Sequence, residues 1–349
     1  MRQRKYRYFV FLCVLLYIYY FFGVGDYLFS KNYEEFVYPL DIDVRKVAED
    51  ILSGKKLEIK PINYYPYRFL TNSGKCRTLE KLDLLIIVKS AMNHFEYRDA
   101  IRQTYGQENI IPGTIVKTLF FLGIDGQPKS ELQKKIEEEM SLYKDVIQID
   151  FRDTYYNNTI KTMMSFRWAF ENCAAADHYL FTDDDFYISV NNLLDFVHDY
   201  NSQKSSSKVD MDSNDLTNSI EQERKRILFS GFVFSSAPQR LRSSKWRVSL
   251  EEYPWNRWPP YVTAGAYVVS NRALKLFYIG SLYIKHFRFD DIYLGIVSKK
   301  LGVEPVHNPQ FHFYKKVYSK DGYKDVIASH GYENHEELIR VWNEQNSVM

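Results

Sequence analysis

Short apolar runs alternate with helical patterns along most of the chain. Five runs have the length and the continuous apolar character of strands that are covered on both faces: 82–90, 118–123, 146–150, 177–182 and 227–234. Helices are predicted between and after them: 97–105, 129–143, 160–171, 191–197 and 334–342. Alternating strands and helices are typical of an α/β domain with a central sheet flanked by helices.

Two stretches interrupt this alternation. Residues 26–78 mix charge, Tyr and Pro without a sustained period, so we interpret them as a stem that leads into a domain at 79–349. Residues 201–226 are rich in Ser, Asp and Asn, a composition that predicts a mobile surface insertion.

The N-terminal pattern predicts a membrane signal anchor. Residues 1–8 carry four basic side chains, and 9–25 contain no charge. As a helix, this uncharged stretch would span roughly 25 Å, enough for a thin bilayer. A cleaved signal peptide is the alternative, but Tyr19-Tyr20-Phe21-Phe22 offers no small-residue cleavage site. The basic flank predicts a cytosolic tail at 1–8, a single transmembrane helix at 9–25 and a lumenal domain.

Composition limits the classes of partner. A net charge of +2 over 349 residues argues against nucleic acid as the main partner. The chain contains 29 Tyr and 24 Phe, and rings of this kind suit stacking on sugars, although most of them are expected in the core.

Cysteine and sequon positions are consistent with a secretory-pathway location. Only Cys76 and Cys173 lie beyond the predicted anchor, and an oxidising lumen would allow a disulfide between them. Asn157-Asn158-Thr159 is an Asn-x-Thr sequon, so Asn157 is a candidate glycosylation site.

The strongest chemical signal is the triplet Asp183-Asp184-Asp185 at the end of the apolar run 177–182. Three adjacent carboxylates repel one another, so a divalent metal or a basic partner is the natural counter-charge. Oxygen ligands suit Mg²⁺ or Mn²⁺, which can also bridge nucleotide phosphates. A solvated acidic turn is the alternative. The position favours a site, because ligands of open α/β sheets bind outside the carboxyl ends of strands.

Three other groups are candidates for ligand contact. Arg98 and Arg102 lie one helical turn apart and could grip a diphosphate or form a solvated face. The aromatic and Pro-rich stretch 246–270 predicts a sugar platform or a structural loop, in which Gly265 would let a ligand approach the backbone. Asp290 and Asp291 open a predicted helix and could be functional groups or only caps.

Six motifs, taken in order, resemble the β-1,3-galactosyltransferase and β-1,3-N-acetylglucosaminyltransferase family, a fringe-related group of type II Golgi membrane enzymes. The resemblance covers about 82–342. It rests on Arg98 to Tyr105, Asn157 to Thr162, the aspartate triplet, Tyr253-Pro254 with Pro259-Pro260-Tyr261, Asp290 to Gly295, and His330 ahead of Glu337 to Trp342.

The resemblance implies a GT-A nucleotide-sugar-binding fold with a mixed central sheet flanked by helices. It also implies a UDP-sugar donor, Mn²⁺ with Mg²⁺ as the alternative, and an inverting transfer that forms a β-1,3 linkage. It implies metal binding by Asp185, Asp183 and His330, with His307 and His312 as alternatives to the histidine. Asp291 takes the place of the catalytic base. The other implied contacts are with the nucleotide sugar (Arg98, Arg102, Asp183 and Asp184) and with the donor or acceptor sugar (Trp258, Tyr261, Gly265 and Asp290).

Departures from the family pattern leave the donor open. Tyr105 stands where relatives usually have Trp, Val262 where many galactosyl-transferring relatives have Cys, and Ala264-Gly265-Ala266 where the family has Gly-x-Gly. The favoured expectation is galactose transfer to a glycan on protein or lipid. The alternatives are N-acetylglucosamine transfer, a catalytically silent glycan-binding lumenal partner with the same fold, and a metal-dependent hydrolase. The oligomeric state stays open.

Overall fold

The computed structural model describes residues 2–38, 42–77, 79–108, 111–127, 130–206 and 227–347. Most of the predicted insertion, 207–226, lies outside these residues. The described strands, in chain order, are β1 Leu82–Lys89, β2 Val116–Ile124, β3 Val146–Arg152, β4 Ala176–Asp183, β5 Phe186–Ile188, β6 Phe229–Phe234, β7 Tyr261–Ser270, β8 Val306–His307, β9 Phe311–His312 and β10 Ala328–His330.

The described helices surround these strands. They are α1 Arg2–Phe21, α2 Val24–Leu28, α3 Val44–Leu52, α4 Phe95–Gln103, α5 Glu131–Tyr143, α6 Asn158–Asn172, α7 Val190–Ser206, α8 Asn271–Ser281, α9 Asp290–Leu301 and α10 His335–Asn346. Two 3-10 turns, Tyr33–Glu35 and Tyr155–Asn157, complete the regular structure of the described residues.

A seven-stranded mixed sheet forms the centre, in the order β3-β2-β1-β4-β7-β6-β8. The pairs formed by β3, β2, β1 and β4 are parallel, whereas β7 runs antiparallel to both β4 and β6. The predicted α/β domain with a mixed, helix-flanked sheet is therefore present. A second sheet of three strands, β5-β10-β9, lies beside it.

The buried faces of β1 explain why its sequence is continuously apolar. Leu85 and Ile87 face one hydrophobic core cluster, whereas Ile86 and Val88 face the other. Helices cover both faces, so every side chain of such a strand leaves water. The strand ends at Lys89, which pairs in register with Asp183 at the end of β4. The sheet thereby brings the aspartate triplet beside a lysine.

The stretch 263–270, interpreted from sequence as part of a platform or loop, is instead the interior strand β7. Its pairing with β4 and β6 leaves Ala266, Tyr267 and Val268 buried. Two hydrogen-bonded neighbours therefore select the extended backbone here.

The predicted stem packs against the sheet domain. In α3, Val44, Val47 and Ala48 are buried in the core cluster, and Tyr38 and Tyr65 join them. The boundary at residue 78 between stem and domain stays a prediction. No helix of the described residues is long and apolar enough to cross a membrane, so the anchor at 9–25 also stays a prediction.

Candidate active site

Asp183 and Asp290 share one buried cation. The Lys89 ammonium lies 3.1 Å from Asp183 and 3.0 Å from Asp290, and its side chain is 1% exposed. The same nitrogen donates to the Ala264 carbonyl oxygen, and Thr162 donates to Asp290 at 2.8 Å. Lys89 therefore connects the triplet to the start of α9.

The charges of this cluster oppose one another. Burial raises the pKa of Asp183 to about 7, and repulsion from Asp185 and Asp290 adds to this effect against the attraction of Lys89. Burial alone would lower the pKa of Lys89, but the two carboxylates outweigh it and raise that pKa. Asp290 is also buried, yet Lys89 and Thr162 together hold its pKa below the ordinary value. Lys89 and Asp290 are therefore both charged and form an ion pair.

Asp185 and His330 come together because β5 pairs with β10, with Phe186 opposite His330. His330 Nε2 lies 3.0 Å from Asp185 Oδ2, and this hydrogen bond is the main reason that the pKa of His330 is raised. The Tyr332 amide donates to the Asp185 carbonyl oxygen and fixes the backbone. Asp185 Oδ1 is buried and has no hydrogen-bond partner among the described residues.

This pair fits the implied Mn²⁺ or Mg²⁺. An orphaned carboxylate oxygen beside an imidazole is a donor set that a divalent cation would satisfy. No group of three or more His, Cys, Asp or Glu side chains within the described ranges is arranged to hold a metal ion. Two protein ligands are nevertheless usual where phosphates and water complete the coordination of a nucleotide-bound metal.

Asp184 has a partner that the sequence analysis missed. His94 Nδ1 lies 2.9 Å from Asp184 Oδ2, and this contact raises the pKa of His94. The His94 ring stacks on Tyr97 at 4.5 Å between ring centroids. Asp184 is itself buried, and its contact with His94 orders the loop after β1. This role comes in addition to any contact that Asp184 makes with a ligand.

Two adjoining cavities meet at Asp183. The first, here called the triplet cavity, has a volume of about 470 Å³ and is lined by Asp183 to Asp185, Lys161 and the loop 89–94. The second, here called the Asp291 cavity, has a volume of about 350 Å³. Tyr155, Asn158 and Asp183 line both. A ligand that fills one cavity can therefore contact a ligand in the other.

Asp291 occupies the first turn of α9 and lines the second cavity. Burial raises the pKa of its carboxyl to about 7, and the neighbouring charge of Asp290 acts in the same direction. The Ile292 amide donates to Asp291 Oδ1 and opposes the shift. A carboxyl that titrates near neutral pH is suited to general base catalysis.

The contacts of Arg98 and Arg102 do not favour the diphosphate role expected for them, which stays a prediction. The Arg98 side chain is fully buried. Its N–H groups already donate to Glu139, Ser90 Oγ and the carbonyl oxygens of Ala91 and Met92. Arg102 pairs with Glu139 and Asp145 and lines neither cavity. Arg98 instead holds the loop that walls the triplet cavity.

Parts of the expected sugar platform are buried. Trp258 is 5% exposed and packs against Tyr253 and Phe287, although its edge reaches the Asp291 cavity. The Phe186 ring packs directly against Gly265, and a Cβ at position 265 would overlap that ring. This packing, and not the approach of a ligand, explains the glycine.

Tyr261 lines the Asp291 cavity with its hydroxyl bonded to Ser236. Asp290 lines it too, but its carboxylate is engaged by Lys89 and Thr162. Both residues therefore border the cavity, with the Tyr261 hydroxyl and Asp290 Oδ2 already hydrogen-bonded.

The remaining predicted residues are the cysteine pair and the sequon asparagine. A disulfide joins Cys76 to Cys173, the pairing that the sequence predicts. Asn157 is half-buried and donates to the Arg152 carbonyl oxygen. Its glycosylation stays a prediction.

Several residues at the site were missed by sequence reasoning: Lys89, His94, Tyr155 and Lys161. Trp246 begins the predicted platform stretch 246–270 but was not singled out in it. Lys161 lies in the family motif Asn157 to Thr162. Its ammonium binds Asp153 at 2.9 Å and the Ser90 carbonyl oxygen. That motif was the only signal available for it. Nothing local in the sequence distinguishes Lys89, His94 and Tyr155 from ordinary core or surface residues.

Known proteins resemble this chain over most of its length. A family model described as Galactosyltransferase matches residues 96–309. The β-1,3-galactosyltransferase brn of Drosophila melanogaster is 36% identical over 93% of this chain and 91% of its own length. The β-1,3-galactosyltransferase 1 of Mus musculus is 32% identical, covering 86% of this chain and 85% of the relative.

Solved structures are more distant. The galactosyltransferase LgtC aligns with 74% of this chain and 95% of its own, at 12% identity and a TM-score of 0.36, which is too low to support an argument. The family assignment depends on the sequence relatives and on the extent of the match. With a family model that spans more than half of the chain and two relatives above 30% identity, the chain belongs to the β-1,3-galactosyltransferase family, whose members bind a sugar donor and an acceptor glycan.

Proposed function

We propose that the chain is an inverting, Mn²⁺-dependent β-1,3-galactosyltransferase that uses UDP-galactose, with a GT-A fold. The observation that carries this proposal is the position of Asp291, a carboxyl with a pKa of about 7 in the cavity that adjoins the aspartate triplet. This arrangement supports a donor in the triplet cavity and an acceptor in the Asp291 cavity.

In this proposal the donor diphosphate lies beside Asp184 and Asp185. Asp185 and His330 would hold the cation, which when bound supplies positive charge against the charge of the departing UDP. Asp183 lines both cavities and contacts the donor where they meet. Lys89 fixes the orientation of the Asp183 carboxylate.

Asp291 acts as the general base. It accepts the proton of the acceptor 3-hydroxyl while that oxygen forms a bond to C1 of galactose. The bond from C1 to the phosphate oxygen breaks, and its electron pair leaves with UDP. Attack on the face opposite the leaving group inverts C1 and gives a β linkage from the α-linked donor.

The donor assignment is tested with the full chain purified in detergent. UDP release is measured from UDP-galactose, UDP-N-acetylglucosamine and UDP-N-acetylgalactosamine, with and without Mn²⁺, on galactoside, glucosaminide and mannoside acceptors. We expect Mn²⁺-dependent, acceptor-stimulated turnover of UDP-galactose. Preferential turnover of UDP-N-acetylglucosamine would support the alternative donor. UDP and Mn²⁺ binding without turnover on any acceptor would favour the silent glycan-binding partner.

We also propose a single-pass type II location in the Golgi membrane, with the domain in the lumen. The basic residues at 1–8, the uncharged stretch 9–25 and the disulfide Cys76–Cys173 support it, since disulfides persist in oxidising compartments. Protease protection of residues 26–349 in intact vesicles tests the orientation. A deglycosylation mobility shift that Asn157→Gln abolishes tests both the lumenal location and the glycosylated asparagine.

A further inference from the structure

Two exposed aromatic side chains stand at the Asp291 cavity. Tyr155 comes from the 3-10 turn before α6, and Trp246 from the loop after β6. Their exposed fractions are 52% and 50%. Both residues line the cavity, and Trp246 Nε1 donates a hydrogen bond to the Tyr155 hydroxyl at 3.0 Å. We refer to them as the aromatic pair.

The aromatic pair differs from the other rings around this cavity. Trp258 is buried, and Tyr261 is half-buried with its hydroxyl on Ser236. The Lys245 ammonium lies 4.6 Å from the centroid of Trp246 and 5.4 Å from that of Tyr155. Large exposed rings cost hydration free energy unless a ligand covers them, whereas buried rings are already covered by the core.

The chemistry of the pair suits one face of a pyranose. A hexopyranose presents C–H groups on a ring face and hydroxyl groups around its rim. Trp and Tyr offer rigid apolar faces with polar tips and lose little conformational entropy on binding. The nearby ammonium and the tyrosine hydroxyl can contact rim hydroxyl groups.

Position distinguishes acceptor from donor. Trp246 lines the Asp291 cavity but not the triplet cavity, where the proposed function puts the nucleotide. Asp291 opens into the same cavity as Trp246, and a base must lie within hydrogen-bond reach of the hydroxyl that it deprotonates. A sugar stacked on the pair is therefore in the cavity of the base.

We propose that Tyr155 and Trp246 form the platform that binds the acceptor, a neutral glycan with a terminal hexopyranose. This inference rests on the proposed function, because it takes the triplet cavity as the donor site. The two residues are specificity-determining groups that contact substrate. Trp246 acts on acceptor affinity and not on metal or nucleotide binding, whereas Tyr155 lines both cavities and can also contact the donor.

Steady-state kinetics of the full chain test the platform. We expect Trp246→Ala and Tyr155→Ala each to raise the acceptor KM about tenfold, the scale expected for loss of one ring contact. The KM for the UDP-sugar should stay within about twofold in Trp246→Ala, whereas Tyr155→Ala can raise it too, because Tyr155 lines both cavities. Trp246→Phe and Tyr155→Phe keep a ring and should retain most of the affinity. Tyr64→Ala removes a 66% exposed ring outside both cavities and serves as the matched control.

An unchanged acceptor KM in both alanine variants would overturn the platform, and so would equal rises in the donor and acceptor KM of Trp246→Ala. If the wild-type chain transfers no sugar, the proposed function fails, and binding is then measured by saturation-transfer NMR. The probes are methyl β-galactoside, methyl β-N-acetylglucosaminide and methyl β-mannoside. Saturation of one of them that Trp246→Ala abolishes would support the platform, whereas no saturation in the wild type or no loss in the variant would overturn it.

Discussion

Lys89 at the end of β1 is ion-paired with Asp290 at the start of α9, with 3.0 Å between the ammonium and the carboxylate. Both side chains are buried, and Asp183 is ion-paired with the same Lys89 ammonium. Lys89→Met would leave Asp290 charged and without a counter-ion. We expect it to lower the free energy of unfolding by about 3–5 kcal/mol.

Urea unfolding followed by circular dichroism measures this effect. Lys81→Met is the matched control, because the Lys81 ammonium is exposed and pairs with Asp83 at the surface. The control should unfold at the wild-type midpoint. A Lys89→Met protein with that same midpoint would show that the buried pair contributes nothing to stability.

The pKa of Asp291, about 7, makes both the stability of the protein and its transfer activity depend on pH. This folded-state value is above the ordinary value of 3.8, so the contribution of the group to stability is present below about pH 4 and is lost as pH rises through 7. Asp291→Asn carries no charge. A shift of about three pKa units corresponds to roughly 4 kcal/mol for a fully buried group, and solvent screening at the half-buried Asp291 reduces it. We therefore expect the variant to be more stable than the wild type by about 1–2 kcal/mol at pH 8 and to show little difference near pH 4.

The same titration sets the pH profile of transfer. A base must be ionised, so kcat/KM should rise about tenfold per pH unit below 7 and level off above it. Initial rates between pH 5 and 9 measure this profile. A profile that is flat from pH 5 to 7 would contradict the assignment of Asp291 as the ionising base.

The disulfide Cys76–Cys173 closes a loop of 97 residues between the segment before β1 and the end of α6. Replacing both cysteines by serine should destabilise the protein by about 2–5 kcal/mol, because the unfolded chain regains the freedom of that loop. Thermal unfolding measures the loss. Cys13→Ser removes the exposed free cysteine and should leave the midpoint unchanged.

Gly265 packs against the Phe186 ring, which follows Asp185 directly. Gly265→Ala would push this ring and disturb the approach of Asp185 to His330. We expect the Mn²⁺ concentration for half-maximal activity to rise about tenfold, the loss that a disturbed ligand support causes. Gly265→Ala with Phe186→Leu should recover part of the affinity. Unchanged metal dependence in the single variant would show that the ring moves freely.

The strands of the fold were predictable because a strand covered on both faces requires a continuous apolar run, as in β1 and β4. The start of α9 was predictable from Asp290 and Asp291, because acidic residues favour helix N-termini. The strand β7 was missed, since its pairing partners β4 and β6 lie far from it in the sequence.

The site was predictable where the chemistry is local and not where it depends on a partner distant in the sequence. The aspartate triplet is recognisable from sequence because three adjacent carboxylates repel one another and require a counter-charge. The spacing of Arg98 and Arg102 gives the helix face that they share, but it does not give Glu139, which lies on another helix and pairs with both. Composition likewise does not separate the buried Trp258 from the exposed Trp246.

Transfer by Asp291→Asn tests the account most directly. UDP-galactose consumption and UDP binding are measured for the wild type and the variant in Mn²⁺ with the best acceptor. We expect the variant to bind UDP and Mn²⁺ as the wild type does, while its transfer rate falls by about three orders of magnitude or more, since only the base is lost. Near-normal transfer by Asp291→Asn would contradict the assignment of Asp291 as the base.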